Sequence, residues 1–218
     1  MEQIRVKTCS TNFNNEEITG IKILGVAASL REDSHSTCAL KILLEVASNK
    51  YGAKTRLLEL RKTKLPLYNP SIKSTELTNG SVLEVTEAVI WADAFVLASP
   101  DYHGSMSGTM KNFLDYFWEE FAGKTFGYLC TSHEKGLTVM DQMRTAVRQC
   151  YGWSMPYGVS VNGERDFNTK GEINNTIVTR RLNMLARDLV AYGRLIKEQF
   201  QKDLAGDTLD TFAARYRE

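Results

Sequence analysis

Short, mainly apolar runs alternate along this chain with longer stretches in which apolar positions recur every three or four residues. The runs over 21–28, 55–60, 94–98, 125–130 and 157–161 have the length of strands covered on both faces, since a half-exposed strand would carry a polar residue at every second position. The periodic stretches predict helices over 36–51, 81–92, 108–121, 139–151 and 174–201. Strands that alternate with helices predict an α/β fold, a five-stranded parallel sheet with helices on both faces. Right-handed crossovers leave few strand orders, and 2-1-3-4-5 is the one expected for this count. It places a ligand crevice beyond the carboxyl ends of the first and third strands.

The regular pattern runs from residue 21 to about residue 205 and is expected to form one domain. Residues 1–20 are polar and patternless and are read as a flexible arm, because such a segment buries too little surface to offset its ordering entropy. Residues 206–218 are read as a tail that lies against a partner subunit or frays.

Charge and cysteine usage narrow the function classes. The 27 basic and 26 acidic residues nearly cancel, so the expectation is no nucleic-acid partner. No run approaches the ~20 apolar residues of a membrane span, and no membrane partner is expected. Cys9, Cys38, Cys130 and Cys150 form neither a CxxC pair nor a metal knuckle, and the opening residues lack a signal pattern. The expectation is a cytoplasmic protein with reduced thiols. The histidines, His35, His103 and His133, are scattered and make no HxxxH pair, so no metal site is expected.

Two loops hold the candidate chemistry. The first, 28–37, gathers Ser29, Ser34, Ser36 and Thr37 around Arg31 at the start of a helix. Hydroxyls and free N–H groups at a helix N-terminus present donors and partial positive charge to an anion, and a guanidinium adds a permanent bidentate partner. A monophosphate suits this set; neither G-x-G-x-x-G nor G-x-x-x-x-G-K-[ST] is present for a longer phosphate chain. The plainer alternative is that Ser36 or Asp33 only caps the helix and Arg31 is a solvated charge. The second loop, 99–108, carries Tyr102 and His103 into the glycine-flanked stretch from Gly104 to Gly108. Its turn is expected to offer backbone groups to the polar edge of a heterocycle, with Tyr102 as a flat wall. The alternative is a tyrosine packed over the sheet edge and a histidine that only serves the turn.

With both loops in view, the chain resembles the NADPH-dependent FMN reductase family, the flavodoxin-like group that includes small quinone, azo-dye and chromate reductases. The family's G-S-x-R-x-x-S corresponds to Ala28, Ser29, Arg31 and Ser34, and its P-E-Y-N-G-S-x-P-G to Pro100, Asp101, Tyr102, His103, Gly104, Ser105, Ser107 and Gly108. Lys111, Asn112 and Asp115 continue the match, and the likeness extends over about 21–195. It implies a flavodoxin-like domain, FMN as cofactor and NADPH as reductant. It further implies a small-molecule electron acceptor and a homodimer or homotetramer.

By the same resemblance Ser29, Arg31, Ser34, Ser36 and Thr37 hold the FMN phosphate. Pro100, Asp101, Tyr102, His103, Gly104 and Ser105 wrap the isoalloxazine edge, and Thr131 and Ser132 add contacts after the fourth strand. Hydride chemistry belongs to the cofactor, so no catalytic acid or base is named. Four positions depart from the family. Ala28 stands for glycine, which would crowd a turn of positive φ; Asp101 for glutamate; His103 for asparagine; and Ser107 for proline, which frees an N–H and is expected to relax the loop. A flavin-bearing electron carrier or redox sensor without NADPH turnover is the alternative, and near-neutral charge together with Arg31 argues against it. An interaction protein that kept the fold and lost the cofactor is the third reading.

Overall fold

A computed structural model describes residues 20–71 and 80–216. Apart from Gly20, the arm expected over 1–20 lies outside the described residues. Along the chain come β1 (Lys22–Ala27), α1 (His35–Tyr51), β2 (Lys54–Glu59), α2 (Gly80–Trp91), β3 (Ala94–Tyr102), β4 (Ser105–Met106) and α3 (Gly108–Asp115). Then follow β5 (Thr125–Thr131), α4 (Leu137–Gln149), β6 (Trp153–Ser154), β7 (Val159–Val161), α5 (Gly163–Asp166) and α6 (Thr176–Ala205).

The sheet is flavodoxin-like, with parallel order β2-β1-β3-β5-β6. The order agrees with the expected 2-1-3-4-5, but the sheet has seven strands rather than five. The fifth position is split, with β6 and β7 both pairing with β5 on either side of Pro156, which has no N–H to give a ladder. The other addition is β4, which folds back antiparallel on the end of β3.

Successive strand residues point to opposite faces and so enter two cores. Ile23, Ala27, Val96 and Ala98 join Leu40 and Leu43 of α1 and Leu182, Leu185 and Leu189 of α6. Leu24, Val26, Phe95 and Leu97 join Val85 and Val89 of α2, Phe113 of α3 and Met143 of α4. Gly25 lets α1 approach β1 closely, since a Cβ there would lie 2.7 Å from Leu44 Cδ1. The helix expected over 108–121 stops at Asp115 and resumes as a 3-10 turn at Glu119–Phe121. There Phe121 stands edge-on to Phe95 and Phe126 at centroid separations of 5.4 and 5.1 Å, so aromatic packing overrides the helical period.

The segment after Gly206 turns back on its own chain. Phe212 lies 5.3 Å from Tyr151 and 6.2 Å from Phe200 of α6, ring centroid to ring centroid. Among the described residues no helix is long and apolar enough to cross a membrane.

Candidate functional site

The register of β1, β3 and β5 brings their carboxyl ends together, with Ala27 opposite Ala98 and Pro100 opposite Thr131. The loops that leave these ends are cross-linked. The Ala28 N–H donates to Ala98 O at 3.0 Å, and the Ser107 hydroxyl donates to Ala28 O at 3.2 Å. A cleft of about 90 Å³ opens between them, lined by Ser29, Arg31, Asp33, Ser34, His35, Ser36, Pro100, Tyr102 and Thr131.

Its floor is the N-terminus of α1, whose first turn carries no acidic residue to neutralise the helix dipole. Ser34, not Ser36 or Asp33, is the N-cap: its hydroxyl oxygen accepts from the Thr37 N–H at 3.3 Å and lies 3.0 Å from Ser36 Oγ. Ser29, Ser34 and Ser36 are buried while Arg31 is exposed. The neighbouring Glu32 is engaged by Arg61 at 2.9 Å, so the charge nearest Arg31 in sequence has another partner. Across the cleft the hydroxyl of Thr131 is buried and has no hydrogen-bond partner among the described residues. Such a group carries a desolvation cost until something bonds to it.

The stretch expected to turn and offer backbone groups to a ring forms a tight hairpin. Asp101 pairs with Met106 and Tyr102 with Ser105, and the two turn residues, His103 and Gly104, have φ of 58° and 75°. Both central residues at positive φ define the I′ type of hairpin turn. Histidine, like asparagine, tolerates this region better than most residues, so His103 preserves the turn. The Asp101 carboxylate accepts from the Gly104 N–H and from the Ser132 hydroxyl, each at 2.8 Å. Gln142 of α4 accepts from the Ser105 hydroxyl at 2.9 Å and the Met106 N–H at 3.1 Å. Tyr102 is left 43% exposed at the mouth of the cleft, where a flat wall is useful.

Of the expected residues, then, Ser29, Arg31, Ser34, Ser36, Pro100, Tyr102 and Thr131 share the cleft. Thr37, Asp101, His103, Gly104, Ser105 and Ser132 do not line it; the last five form or brace its hairpin rim. Ser99 and His35 were seen in the sequence but not assigned to the site, and Gln142 went unread. Ser99 carries a polar signal inside an apolar run, whereas Gln142 lies 37 residues from Ser105 and has no local signal.

Two departures behave otherwise than expected. Ala28 is not among the residues of positive φ, so its methyl crowds no turn. The Ser107 N–H, absent in a proline, donates to Ser99 Oγ at 2.9 Å, and the Ser107 hydroxyl caps α3 by accepting from the Met110 N–H at 3.2 Å. The serine therefore fastens the loop instead of relaxing it. Cys130, at the end of β5, has its thiol pushed up to about 12 by burial and then by the charge of Asp101, so it remains protonated at neutral pH.

The sequence profile of the family described as NADPH-dependent FMN reductase matches residues 21–166, which contain the whole cleft. The chain belongs to that family. Among relatives of this FMN reductase family member, an NADPH azoreductase of a Bacillus species is 32% identical over 110 residues, covering 49% of this chain and 61% of its own. An NAD(P)H-dependent FMN reductase of Pseudomonas aeruginosa is 31% identical over 96 residues, covering 44% and 49%. The chain thus spans about half to three fifths of the length of these two curated relatives. The fold of the reductase-family chain is also that of the flavoenzyme NAD(P)H:(acceptor) oxidoreductase FerB of Paracoccus denitrificans. That likeness has a TM-score of 0.67 and 19% identity, over 81% of this chain and 98% of the other.

Proposed function

We propose that this chain is an FMN-dependent NAD(P)H oxidoreductase that delivers electrons to a free flavin, a quinone or a similar small acceptor. The supporting observation is the convergence, in one cleft, of a helix N-terminus with no acidic residue in its first turn, three buried serines, an exposed arginine and a Thr131 hydroxyl without a hydrogen-bond partner among the described residues. These residues fit a phosphate monoester: N–H and O–H donors with one guanidinium are the chemistry a dianion requires, and the volume suits a phosphate rather than a tricyclic ring.

In this reading Ser29, Ser36 and the free N–H groups of the first turn bind phosphate oxygens, and Arg31 closes over them from solvent. Ser34 keeps its cap and orients Ser36. Thr131 donates its hydroxyl to the cofactor, and Tyr102 walls the ring at the open edge of the cleft. The hairpin, held by Asp101 and Gln142, keeps Tyr102 in place. FMN, when bound, would supply the redox chemistry between the nicotinamide and the acceptor. The chain's part is position and electrostatics, with no side chain assigned a proton transfer.

A homodimer or homotetramer in the cytoplasm completes the proposal, and light scattering of the FMN-loaded protein reads the copy number. Reconstitution with FMN followed by anaerobic addition of NADPH tests the activity itself.

A further inference from the structure

A second, larger cavity of about 520 Å³ shares a wall with the cleft. The wall is the segment after β5. Thr131 lines the cleft, while Glu134 and Lys135 line the cavity. The segment is held rigidly between the two: the Ser132 N–H donates to Val161 O at 3.0 Å, the Glu134 N–H donates to Ser132 Oγ at 3.1 Å, and the Asn162 side-chain amide donates to His133 O at 3.3 Å. The volume lies within the roughly 300–1,000 Å³ of small-molecule sites.

The lining is rich in cations. Lys135, Arg144, Arg165 and Arg181 face Glu134 and Asp141. Arg144 is taken up by Asp141 and lies over the Tyr128 ring at 4.9 Å, and Arg181 donates to Gly158 O at 3.0 Å. Lys135 and Arg165 are exposed, and neither side chain has a hydrogen bond or ion pair among the described residues. Two exposed cations beside a site with flat walls, here Pro156 and Tyr157, suit a phosphorylated nucleoside. Tyr157 is held by donating its hydroxyl to Asp188 at 2.6 Å.

We propose that this cavity receives the 2′-phosphoadenosine end of NADPH, with Arg165 and Lys135 on the 2′-phosphate. The nicotinamide end then reaches across the shared wall to the flavin crevice. The inference rests on the proposed reductase function, and it supplies the cation that preference for NADPH over NADH needs, since Arg31 is committed to the FMN phosphate.

Calorimetric titration of the FMN-loaded protein with 2′,5′-ADP, 3′,5′-ADP and 5′-AMP tests it. The expected result is binding of 2′,5′-ADP in preference to the other two, weakened about tenfold or more in Arg165→Ala and in Lys135→Ala, as loss of a charge-assisted phosphate contact predicts. In flavin reduction the preference for NADPH over NADH falls toward unity in the same variants. Equal binding of 3′,5′-ADP, no binding of 2′,5′-ADP, or binding that both variants leave unchanged overturns the assignment. Failure of both NADPH and NADH to reduce the flavin of the unaltered protein would strike the reductase reading, whereas the titration reads the cavity directly.

Discussion

The Asp101 carboxylate bridges two loops, accepting from the Ser132 hydroxyl with one oxygen and from the Gly104 N–H with the other, each at 2.8 Å. It joins the hairpin after β3 to the wall after β5, so the spacing across the mouth of the cleft depends on it. Asp101→Ala leaves a hydroxyl and an N–H unpaired and is expected to lower stability by about 1–3 kcal/mol. It should also weaken FMN binding several-fold by loosening Tyr102. Asp101→Asn can accept from Gly104 and donate to Ser132, so it should restore most of both. Thermal melts with fluorescence titration of FMN separate the two; failure of asparagine to rescue would mean that the charge, not the bridge, matters.

Arg31 is exposed, and among the described residues no hydrogen bond or ion pair ties its guanidinium to the fold. Arg31→Ala should therefore raise the FMN dissociation constant by about tenfold or more, equivalent to a lost charge-assisted bond of roughly 1.5–3 kcal/mol, while the melting temperature of the FMN-free protein stays in place. An unchanged dissociation constant would remove Arg31 from the phosphate site.

Ser107 has φ of −60°, which a proline ring can adopt, so backbone strain does not complicate Ser107→Pro. The variant loses the N–H bond to Ser99, the hydroxyl bond to Ala28 and the cap on Met110. A loss of about 2 kcal/mol in denaturant unfolding is expected from the cap and the bonds together. A neutral or stabilising result would contradict the fastening role given to this serine.

How much of this was legible in sequence varied by element. The mainly apolar runs of β1, β3 and β5 and the strand order followed from periodicity and handedness, because buried parallel strands leave little choice of residue. Pro156 was visible, yet its effect of splitting the edge strand depends on pairing with β5. The serine and arginine cluster pointed to the cleft, but which serine caps α1 depends on the backbone at Ser34, and both Ser36 and Asp33 were acceptable candidates. The hairpin at His103 and Gly104 was readable as a turn. Gln142, which braces it from another helix, was not, since a contact between distant segments leaves no local pattern.

Turn chemistry gives a further check. His103 has φ of 58°, where a β-branched residue is strained, whereas asparagine is tolerated. His103→Val should lower the melting temperature and His103→Asn should not. Equal melting of the two would count against the I′ hairpin.

Lys124 is buried enough that its amine is lowered to about 8, desolvation outweighing the attraction of Asp93 and Glu120. It donates to the Val89 carbonyl at 2.9 Å near the end of α2. A lysine whose folded value lies below its unfolded one destabilises the fold below the folded value, where it is charged in both states. That cost is relieved as pH rises from about 8 toward the ordinary lysine value, where the unfolded chain holds more protons than the folded one. The stability of the unaltered protein relative to Lys124→Met should therefore increase by on the order of 2 kcal/mol between pH 7 and pH 10. A flat difference across that range would show that the amine is not desolvated.

The most direct test of the central claim is anaerobic reduction. The purified protein is loaded with FMN, its visible spectrum is recorded, and NADPH is added in the absence of oxygen. Bleaching of the flavin band, with recovery when a quinone is supplied, is the predicted result. A yellow protein whose band neither NADPH nor NADH diminishes, or a protein that retains no FMN, would contradict it.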